Sequence, residues 1–357
     1  MAPAEAAASR ASGRSLDVLI VSLASTTGLR LADEQLAASL RRAGAGVELI
    51  RAQPPRTLRT LMLTDLSWAL AARSAARRAL RSGPMPRAIV YSTTTAALLW
   101  PAPGAIRFDA PASGNRPGRH GLWQRPLERR RLLRSSLLLP LSAGGLAEAR
   151  LARAAAARAL IVPLPVEPSG AALPVRDLAA ITYAGNPTKK GLDRVLGAWR
   201  ALGERGELAG AELLVAGASG SELAASGIDL AEHRAVRSVG RLPAADYRAL
   251  LRRARVFICA PRREDYGAAQ LEALADGCLL VTTPAEGPYA ALPIARELDA
   301  GLVDEDLAAA LGRALSYGDA RAYAERALAA LAPYRAAAVD RLVASEVLGR
   351  LLGGGCT

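Results

Sequence analysis

Residues 178–284 alternate between short apolar strands and amphipathic helices, and this alternation constrains the fold more than any other feature of the chain. It begins with the strand AITYAG and the helix GLDRVLGAWRAL. The later segments are the strand AELLVAGA, the helix AADYRALLRRA, the strand VFICAP, the helix GAAQLEALADG and the strand LLVTTP. Such alternation is typical of a parallel sheet covered by helices on both faces. We therefore predict a doubly wound α/β domain over residues 178–334.

The preceding part of the chain predicts a second unit of the same kind. LDVLIVSL (16–23) indicates a strand, LADEQLAASLRRAG (31–44) a helix and VELI (47–50) the next strand. RAIVYS, AIRFDA and RSSLLLPLS indicate further strands, and ALIVPLPV ends this half. The predicted fold class is α/β, with two Rossmann-like domains facing across a cleft.

The domain boundaries follow from local composition. Residues 166–177, VEPSGAALPVRD, are rich in Pro, Gly and small residues and predict a linker. The first domain then covers 16–165 and the second 178–334. We expect 1–15 to be a disordered leader, and 335–357 to form a helix that is a candidate to cross back to the first domain. In such folds the interdomain cleft is the expected ligand site.

Charge and cysteine content restrict the classes of partner. The net charge of +13 favours anionic partners, such as an acidic membrane surface or phosphorylated small molecules. Aromatic residues are only 4% of the chain, which argues against single-strand nucleic-acid binding, and we expect no nucleic-acid partner. The three cysteines, Cys259, Cys278 and Cys356, form no CxxC pair. This favours a reducing compartment, the cytoplasm, over a disulfide framework or a zinc site.

One uncharged stretch, residues 88–106, has the length of a membrane span. Pro101, Pro103 and Gly104 interrupt it, together with a serine and three threonines. A run broken in this way fits two strands and a turn better than a spanning helix. We therefore predict no transmembrane segment.

The stretch REDYGAAQLEALADGC (263–278) carries two glutamates after a buried strand. Gly267 opens the helix, and a helix start offers free N–H groups that suit a phosphate. Glu272 shares a helix face with Ala268 and Ala269, so both it and Glu264 can point to the cleft. Carboxylates accept hydrogen bonds from sugar hydroxyls. Spacing alone leaves an equal alternative, in which both glutamates are solvated surface charges.

EDYGAAQLEALADGCLLVTTP resembles the nucleotide-sugar motif of retaining GT-B glycosyltransferases, of the glycosyltransferase family 4 (group 1) type. The family pattern, Glu, seven residues, Glu, then Ala-x-Ala-x-Gly, is filled by Glu264, Glu272, Ala273, Ala275 and Gly277. The resemblance implies that Glu264 contacts the hydroxyls of the transferred sugar and that Glu272 holds the ribose. It also implies that the backbone of residues 267–269 contacts the diphosphate and sugar. The donor would be a UDP-, GDP- or similar sugar.

ITYAGNPTKKGLDRVLGAW resembles the first strand, loop and helix of the same domain in that family. Lys190 and Gly191 match its Lys–Gly pair, and the lysine would neutralise the diphosphate as it leaves. Where the family usually has an arginine after the glycine, Asn186 follows Gly185, and Lys189 is a candidate to replace the arginine. The other interpretation of Lys190 is a solvated lysine at a helix start. The resemblance covers most of residues 178–290 and is weak over 16–165.

Three residues of the first domain are weaker candidates. Asp109, in AIRFDAP, stands where family members often carry a histidine; it is a candidate general base or acceptor-orienting group, or else a turn-capping aspartate. His120 is a candidate base; the more common role of a lone loop histidine is structural or solvated. Gly28, in the turn STTGLR before a helix, is a candidate for the glycine-rich loop that family members have near the donor or acceptor. The stretch contains one glycine, and the other interpretation is a plain turn.

The stretch 116–134 contains seven arginines and one glutamate, with Leu122, Trp123 and Leu127 among them. Such a stretch can lie on an anionic membrane surface, here the inner face of the membrane, or bind an acidic acceptor. The third interpretation is a solvated Arg-rich helix.

The resemblance implies a retaining glycosyltransferase (EC 2.4, hexosyl type) without a metal or other cofactor, acting on a glycan, lipid-linked or small-molecule acceptor in glycan biosynthesis. Two alternatives remain: a nucleotide-sugar epimerase of the same fold, and a non-catalytic relative that binds sugar nucleotides. A nicotinamide dehydrogenase is disfavoured because no GxGxxG follows either first strand. GNPTKKG lacks the Gly-Lys-Ser/Thr order of a P-loop.

Overall fold

The computed structural model describes residues 16–55, 58 and 60–353, and it contains two parallel five-stranded sheets. The predicted leader (1–15) and Cys356 lie outside the described residues. Helices cover each sheet, so the predicted fold class, with two Rossmann-like domains, is confirmed. Within the described ranges, no helix is both long enough and apolar enough to cross a bilayer.

The first sheet has the strand order β2-β1-β3-β4-β5. Its strands are β1 (Val18–Ser22), β2 (Val47–Arg51), β3 (Ala88–Tyr91), β4 (Ala105–Phe108) and β5 (Leu138–Pro140). The helices of this half are α1 (Thr27–Arg42), α2 (Leu61–Ser82), α3 (Thr94–Ala97), α4 (Ala112–Asn115), α5 (Gln124–Arg134), α6 (Ala143–Glu148) and α7 (Arg153–Ala156). The uncharged stretch 88–106 thus forms β3, the short helix α3 and the start of β4, instead of a membrane span.

The second sheet has the order β10-β9-β6-β7-β8. Its strands are β6 (Leu178–Tyr183), β7 (Leu213–Ala216), β8 (Val236–Gly240), β9 (Ala254–Cys259) and β10 (Leu279–Thr282). Its helices are α8 (Pro187–Lys190), α9 (Leu192–Glu204), α10 (Gly220–Ala225), α11 (Ala244–Arg253), α12 (Ala268–Ala275), α13 (Ala291–Leu298), α14 (Leu307–Leu315) and α15 (Ala320–Ala330).

Helix α2 and strand β8 are among the elements that the sequence analysis missed. Helix α2 buries mostly alanines, together with Asp65, so its inner face lacks the large apolar stripe that marks an amphipathic helix. Strand β8 is a five-residue edge strand whose residues are all at least partly accessible, so no apolar run marks it. ALIVPLPV is no strand: Leu160 and Val162 donate to β5 carbonyls, and the pairing stops where prolines supply no N–H.

The end of the chain packs on the first domain. Helix α16 (Ala336–Leu342), a π-helical turn (Val343–Val347) and α17 (Leu348–Gly353) follow one another. Val339, Val343, Val347 and Leu351 recur every four residues and join the core between α1 and the first sheet. Arg42 of α1 also pairs with Asp340 at 2.8 Å. The chain therefore passes between the domains twice, once in the linker and once here.

A buried polar layer closes the α1 side of the first sheet at its carboxyl edge. Alternate residues of β1 and β4 face α1, and the last of these are Ser22 and Arg107, which follow Val18, Ile20 and Ala105. Ser22 donates to Asp33 of α1 at 2.5 Å, and Arg107 donates to the same carboxylate at 3.3 Å.

Arg107 also donates to the Ala32 carbonyl at 2.9 Å. Asp33 and Arg107 are 1% and 3% exposed. Burial raises the pKa of Asp33, and the charge of Arg107 opposes that rise. The ion pair therefore fixes α1 against the sheet where the cleft begins.

We expect Arg107→Leu to lower the free energy of unfolding by about 3–5 kcal/mol, because it leaves the Asp33 carboxylate buried without its cation. Urea unfolding measures the change. The matched control is Arg321→Leu, which removes an arginine that is 91% exposed in a surface pair and should cost less than about 1 kcal/mol. Equal effects of the two substitutions would contradict the assignment.

Candidate functional site

The strand order places the loops after β6 and β9 side by side. β6 lies between β9 and β7, so the chain moves outward in opposite directions from these two neighbouring strands. Ligands of doubly wound sheets bind in the crevice beyond the carboxyl ends at such a switch point. The β6 loop carries the sequence GNPTKKG, and the β9 loop carries RREDYG. The two segments singled out in the sequence analysis therefore meet at one edge of the sheet.

Gly191 allows the two loops to approach closely. It has a φ of +65°, and a Cβ at this position would lie 1.9 Å from the carbonyl oxygen of Ala260. Only glycine tolerates both conditions. The contact is continued by a backbone hydrogen bond of 3.1 Å from Arg262 to the Lys189 carbonyl.

Lys190 and Glu264 form an ion pair at the centre of this edge. The Lys190 Nζ atom lies 2.6 Å from Glu264 Oε2, and the two side chains are 21% and 6% exposed. Gln270 of α12 donates to the same carboxylate oxygen at 3.2 Å. The sequence-predicted Lys190 and Glu264 are thus in direct contact, with Glu264 nearly buried.

Helix α12 begins at the same edge. Gly267 precedes it with a φ of +90°, and a Cβ there would lie 2.9 Å from the ring of Tyr289. No side chain caps this helix start among the described residues, so its first N–H groups are available to a ligand. Ala268 is exposed, and Ala269 and Glu272 are half-buried, so these three share the accessible face that the 3.6-residue period predicts.

Glu272 is half-buried near Arg248 and Tyr247 of α11. Burial raises its pKa; the charge of Arg248 opposes this rise and that of Asp276 adds to it. Burial raises the pKa of Tyr247 and the Glu272 charge adds to that rise; the Tyr247 hydroxyl is buried and has no hydrogen-bond partner among the described residues. The contact of Glu272 with a ribose stays a prediction.

Lys189, the candidate replacement for the missing arginine, is engaged within the protein. It pairs with Asp265 at 2.7 Å, and Asp265 also pairs with Arg263 at 3.0 Å. Arg263 reaches across the cleft to Glu148 at the end of α6, at 2.7 Å. The chain of charges links the β6 loop, the β9 loop and the first domain. Lys189 therefore holds the loops together in this structure.

Gly185 and Asn186 shape the start of the β6 loop. A Cβ at Gly185 would lie 2.8 Å from the ring of Tyr183, so the glycine allows the chain to cross this ring. Asn186 is exposed, and its side chain caps α8 by accepting from the Lys189 N–H at 3.0 Å. Asn186 thus has a local structural role, and its contact with a ligand stays a prediction.

Asp109 follows β4 at the carboxyl edge of the first sheet. Its carboxylate accepts from the Ala110 N–H at 2.7 Å. Burial raises the pKa of Asp109; the nearby Asp265 charge adds to this rise, and Lys189 opposes it. Since both of those residues belong to the second domain, Asp109 faces the cleft.

His120 and Gly28 lie apart from these contacts. His120 is exposed in a short turn (Gly118–Gly121), and no hydrogen bond or ion pair of the described residues joins it to Glu264 or Lys190. The expectation that Gly28 lies in a turn before a helix is wrong. Thr26 caps α1 by accepting from the Leu29 N–H, so Gly28 is already in the first helical turn.

Glu128 is a further buried carboxylate at the first sheet's edge, and the sequence analysis treated it only as the one acid among seven arginines. It is 5% exposed and accepts from the Ala112 N–H at 2.8 Å. Burial raises its pKa to about 7. The signal that could have found it is spacing: Gln124, Glu128 and Leu132 recur every four residues on the buried face of α5.

Glu128 should make stability depend on pH. Its folded-state pKa is raised, so the cost of ionising it is absent below the unfolded value of 4.5 and complete above about pH 7. The free energy of unfolding should therefore fall from pH 5 to pH 8, by on the order of 3 kcal/mol from this group alone.

The variant Glu128→Gln should lose that part of the decline, as measured by urea unfolding at several pH values. Asp33, Asp109 and Glu272 also have raised pKa values, so the informative quantity is the difference between the variant and the parent. Parallel pH curves would contradict the burial of an ionisable Glu128.

Comparison with known proteins identifies a related sequence family for the second domain. Residues 179–317 match the sequence model of the family described as glycosyl transferases group 1. The match includes Lys190, Glu264 and Glu272, and it does not extend into the first domain. No curated protein sequence matches the chain. The match supports the predicted glycosyltransferase class (EC 2.4), and it does not distinguish family 4 or retention.

Several solved structures share the fold over nearly the whole chain. WaaG, a glycosyltransferase involved in lipopolysaccharide biosynthesis, has a TM-score of 0.66 and 16% identity, covering 94% of this chain and 99% of that one. Sucrose-phosphate synthase from Thermosynechococcus elongatus has a TM-score of 0.64, 14% identity and coverage of 92% and 97%. HepE of Anabaena, in complex with UDP and glucose, has a TM-score of 0.63, 14% identity and coverage of 93% and 99%. The chain therefore has the GT-B fold, and its second domain matches the glycosyl transferases group 1 family.

Proposed function

We propose that this protein transfers a sugar from a nucleotide-diphosphate sugar to an acceptor hydroxyl, with retention of configuration, as a family 4 type enzyme. The observation that carries the proposal is the contact between Lys190 and Glu264 beside the open start of α12. The match of residues 179–317 to a glycosyl transferase family supports the reaction class. HepE, a structure of the same fold, binds UDP and glucose, which supports a nucleotide-sugar as the donor.

Lys190 and the start of α12 provide the positive charge that a leaving diphosphate needs. The lysine is partly exposed, and the N–H groups at the uncapped start of α12 form the positive end of the helix dipole. Preorganised positive groups stabilise charge that develops as the glycosidic bond breaks. The residues that perform this step come from the chain itself, so the proposed mechanism requires no bound metal.

Glu264 and Glu272 provide the hydrogen-bond acceptors. Glu264 Oε2 is occupied by Lys190 and Gln270, which leaves Oε1 to accept from a hydroxyl of the transferred sugar. Glu272, about one turn into α12, is the proposed acceptor for the ribose hydroxyls. Two carboxylates on one ligand fix its orientation along the cleft.

Asp109 is the proposed group for the acceptor hydroxyl. It faces the second domain from the first sheet's edge, and its raised pKa makes the carboxylate a stronger proton acceptor. His120 is the weaker candidate because it is exposed and no hydrogen bond or ion pair of the described residues joins it to Lys190 or Glu264.

The first test is a panel of UDP-, GDP- and other nucleotide-sugars. A donor that binds the native state should raise the melting temperature, and it should then release its nucleoside diphosphate on transfer or slow hydrolysis. Release of the nucleoside diphosphate, without conversion of the donor sugar to its epimer, would indicate transfer and not epimerisation. Binding without release would favour the non-catalytic alternative.

We expect Glu264→Gln to lower turnover with that donor by at least about 100-fold, because the amide removes the charge that orients the sugar and pairs with Lys190. The fold should persist, since glutamine can still accept from Lys190. The matched control is Glu212→Gln. Glu212 lies just before β7, at the opposite edge of the sheet, and pairs with Arg237 on the surface. Near-normal turnover of Glu264→Gln would overturn the site assignment.

We also propose that the first domain contacts an anionic membrane surface, where a lipid-linked acceptor would lie. Arg129, Arg130 and Arg134 are exposed and make no ion pair with described residues. Leu122 and Leu133 are 63% and 43% exposed beside them, and the one acid of this stretch, Glu128, is buried. An exposed face with arginine and leucine but without acid suits an anionic bilayer surface.

Liposome flotation tests this second proposal. The protein should float with vesicles that contain anionic lipid and remain in solution with neutral ones. The double variant Arg129→Glu and Arg130→Glu should lose most of the bound fraction, because it reverses two charges on the face. Arg200→Glu with Arg321→Glu, two exposed positions in the second domain, is the matched control. Flotation that is independent of anionic lipid would refute the proposal.

A further inference from the structure

Gln270 is buried next to Glu264, and its contribution to the stability of the fold does not explain a buried amide at this position. It is 1% exposed, and its Nε2 atom donates to Glu264 Oε2 at 3.2 Å. The amide nitrogen must face the carboxylate, because an oxygen there would meet another acceptor. The amide oxygen, Oε1, is then buried with no hydrogen-bond partner in the described part of the chain.

An unpartnered buried oxygen costs on the order of 1–3 kcal/mol. An apolar side chain of the same length would avoid that cost at this position. Residues that carry such a cost are concentrated at functional sites, where stability is exchanged for geometry. The shorter of the two hydrogen bonds that the Gln270 amide makes with described residues is the one to Glu264.

A buried network fixes the orientation of the Gln270 amide. Its Nε2 atom also lies 3.6 Å from the Cys259 sulfur, at the end of β9. The Cys259 thiol lies 3.3 Å from the Thr282 hydroxyl at the end of β10, and Thr282 lies 2.8 Å from the Tyr289 hydroxyl. The amide is thus tied to β9 and, through Cys259 and Thr282, to the neighbouring edge strand β10.

We propose that Gln270 is a positioning residue for Glu264. It holds Oε2 from the side of the strands while Lys190 holds the same oxygen from the β6 loop, so that the other carboxylate oxygen is presented to the sugar in one orientation. This inference rests on the proposed function, and it adds that orientation of the sugar depends on the glutamine at this position.

The test compares Gln270→Met with the parent, using the nucleotide-sugar that the panel identifies. Methionine has nearly the same length and no hydrogen-bond donor. We expect the turnover number to fall about 10-fold or more, because the Glu264 carboxylate gains freedom. Binding of the free nucleoside diphosphate should stay within about twofold, because the diphosphate is held by other groups. The melting temperature should change little, because removal of the unpartnered oxygen offsets the loss of the hydrogen bond to Glu264.

Gln124→Met is the matched control. Gln124 is 2% exposed, also has an unpartnered Oε1, and donates to a carboxylate, Asp65, at 2.9 Å in the first domain. The same chemical change there should leave the turnover number within about twofold. A second variant, Gln270→Glu, places a carboxyl against Glu264, with the Cys259 thiol, the Tyr289 hydroxyl and Lys190 as the other ionisable groups nearby. Its turnover should recover as the pH falls, because a protonated carboxyl can donate as the amide does.

The outcomes separate this inference from the proposed function. An unchanged turnover number in Gln270→Met, or a loss that equals that of Gln124→Met, overturns the role of Gln270 alone. A lower melting temperature with parental kinetics would assign Gln270 a purely structural role and also overturn it. A parent protein that neither binds nor turns over any nucleotide-sugar overturns the proposed function, and this inference with it.

Discussion

The ion pair between Lys190 and Glu264 depends on one steric condition, the contact of Gly191 with the Ala260 carbonyl. A side chain at residue 191 would separate the β6 and β9 loops, since its Cβ would overlap that oxygen. The contact is available because β6 and β9 are neighbours in the sheet, so their carboxyl ends lie at one edge. The Lys190–Glu264 pair, the position of the start of α12 and the Arg263 link to the first domain all depend on this close contact between the β6 and β9 loops.

Both sheets end in buried polar groups at the edge that faces the cleft. In the first domain these are Ser22, Asp33 and Arg107; in the second they include Cys259 and Thr282 at the ends of β9 and β10. Buried polar groups are costly unless they are paired, and networks of them fix one geometry when they are. Each domain therefore has paired polar groups at the edge of its sheet that faces the cleft, next to an apolar core.

The two domains are coupled close to the candidate site. Arg263 precedes Glu264 in sequence and pairs with Glu148 of the first domain at 2.7 Å. The Tyr266 hydroxyl accepts from the Leu164 N–H at 2.9 Å, and Leu141, just after β5, packs in the core of the second domain. A relative motion of the two domains therefore acts on contacts made by Arg263 and Tyr266, the residues that flank the segment with Glu264.

The sequence by itself determined the alternation of strands and helices, because apolar periodicity and turn residues are local properties. It also indicated Lys190, Glu264 and Glu272, because each belongs to a short motif that can be recognised in the linear sequence. Tertiary structure alone decided that Lys190 contacts Glu264, that Lys189 pairs with Asp265, and that Glu128 and Gln270 are buried. Those facts depend on which strands are neighbours and which helix faces meet them, and a linear pattern of charges carries no information on either.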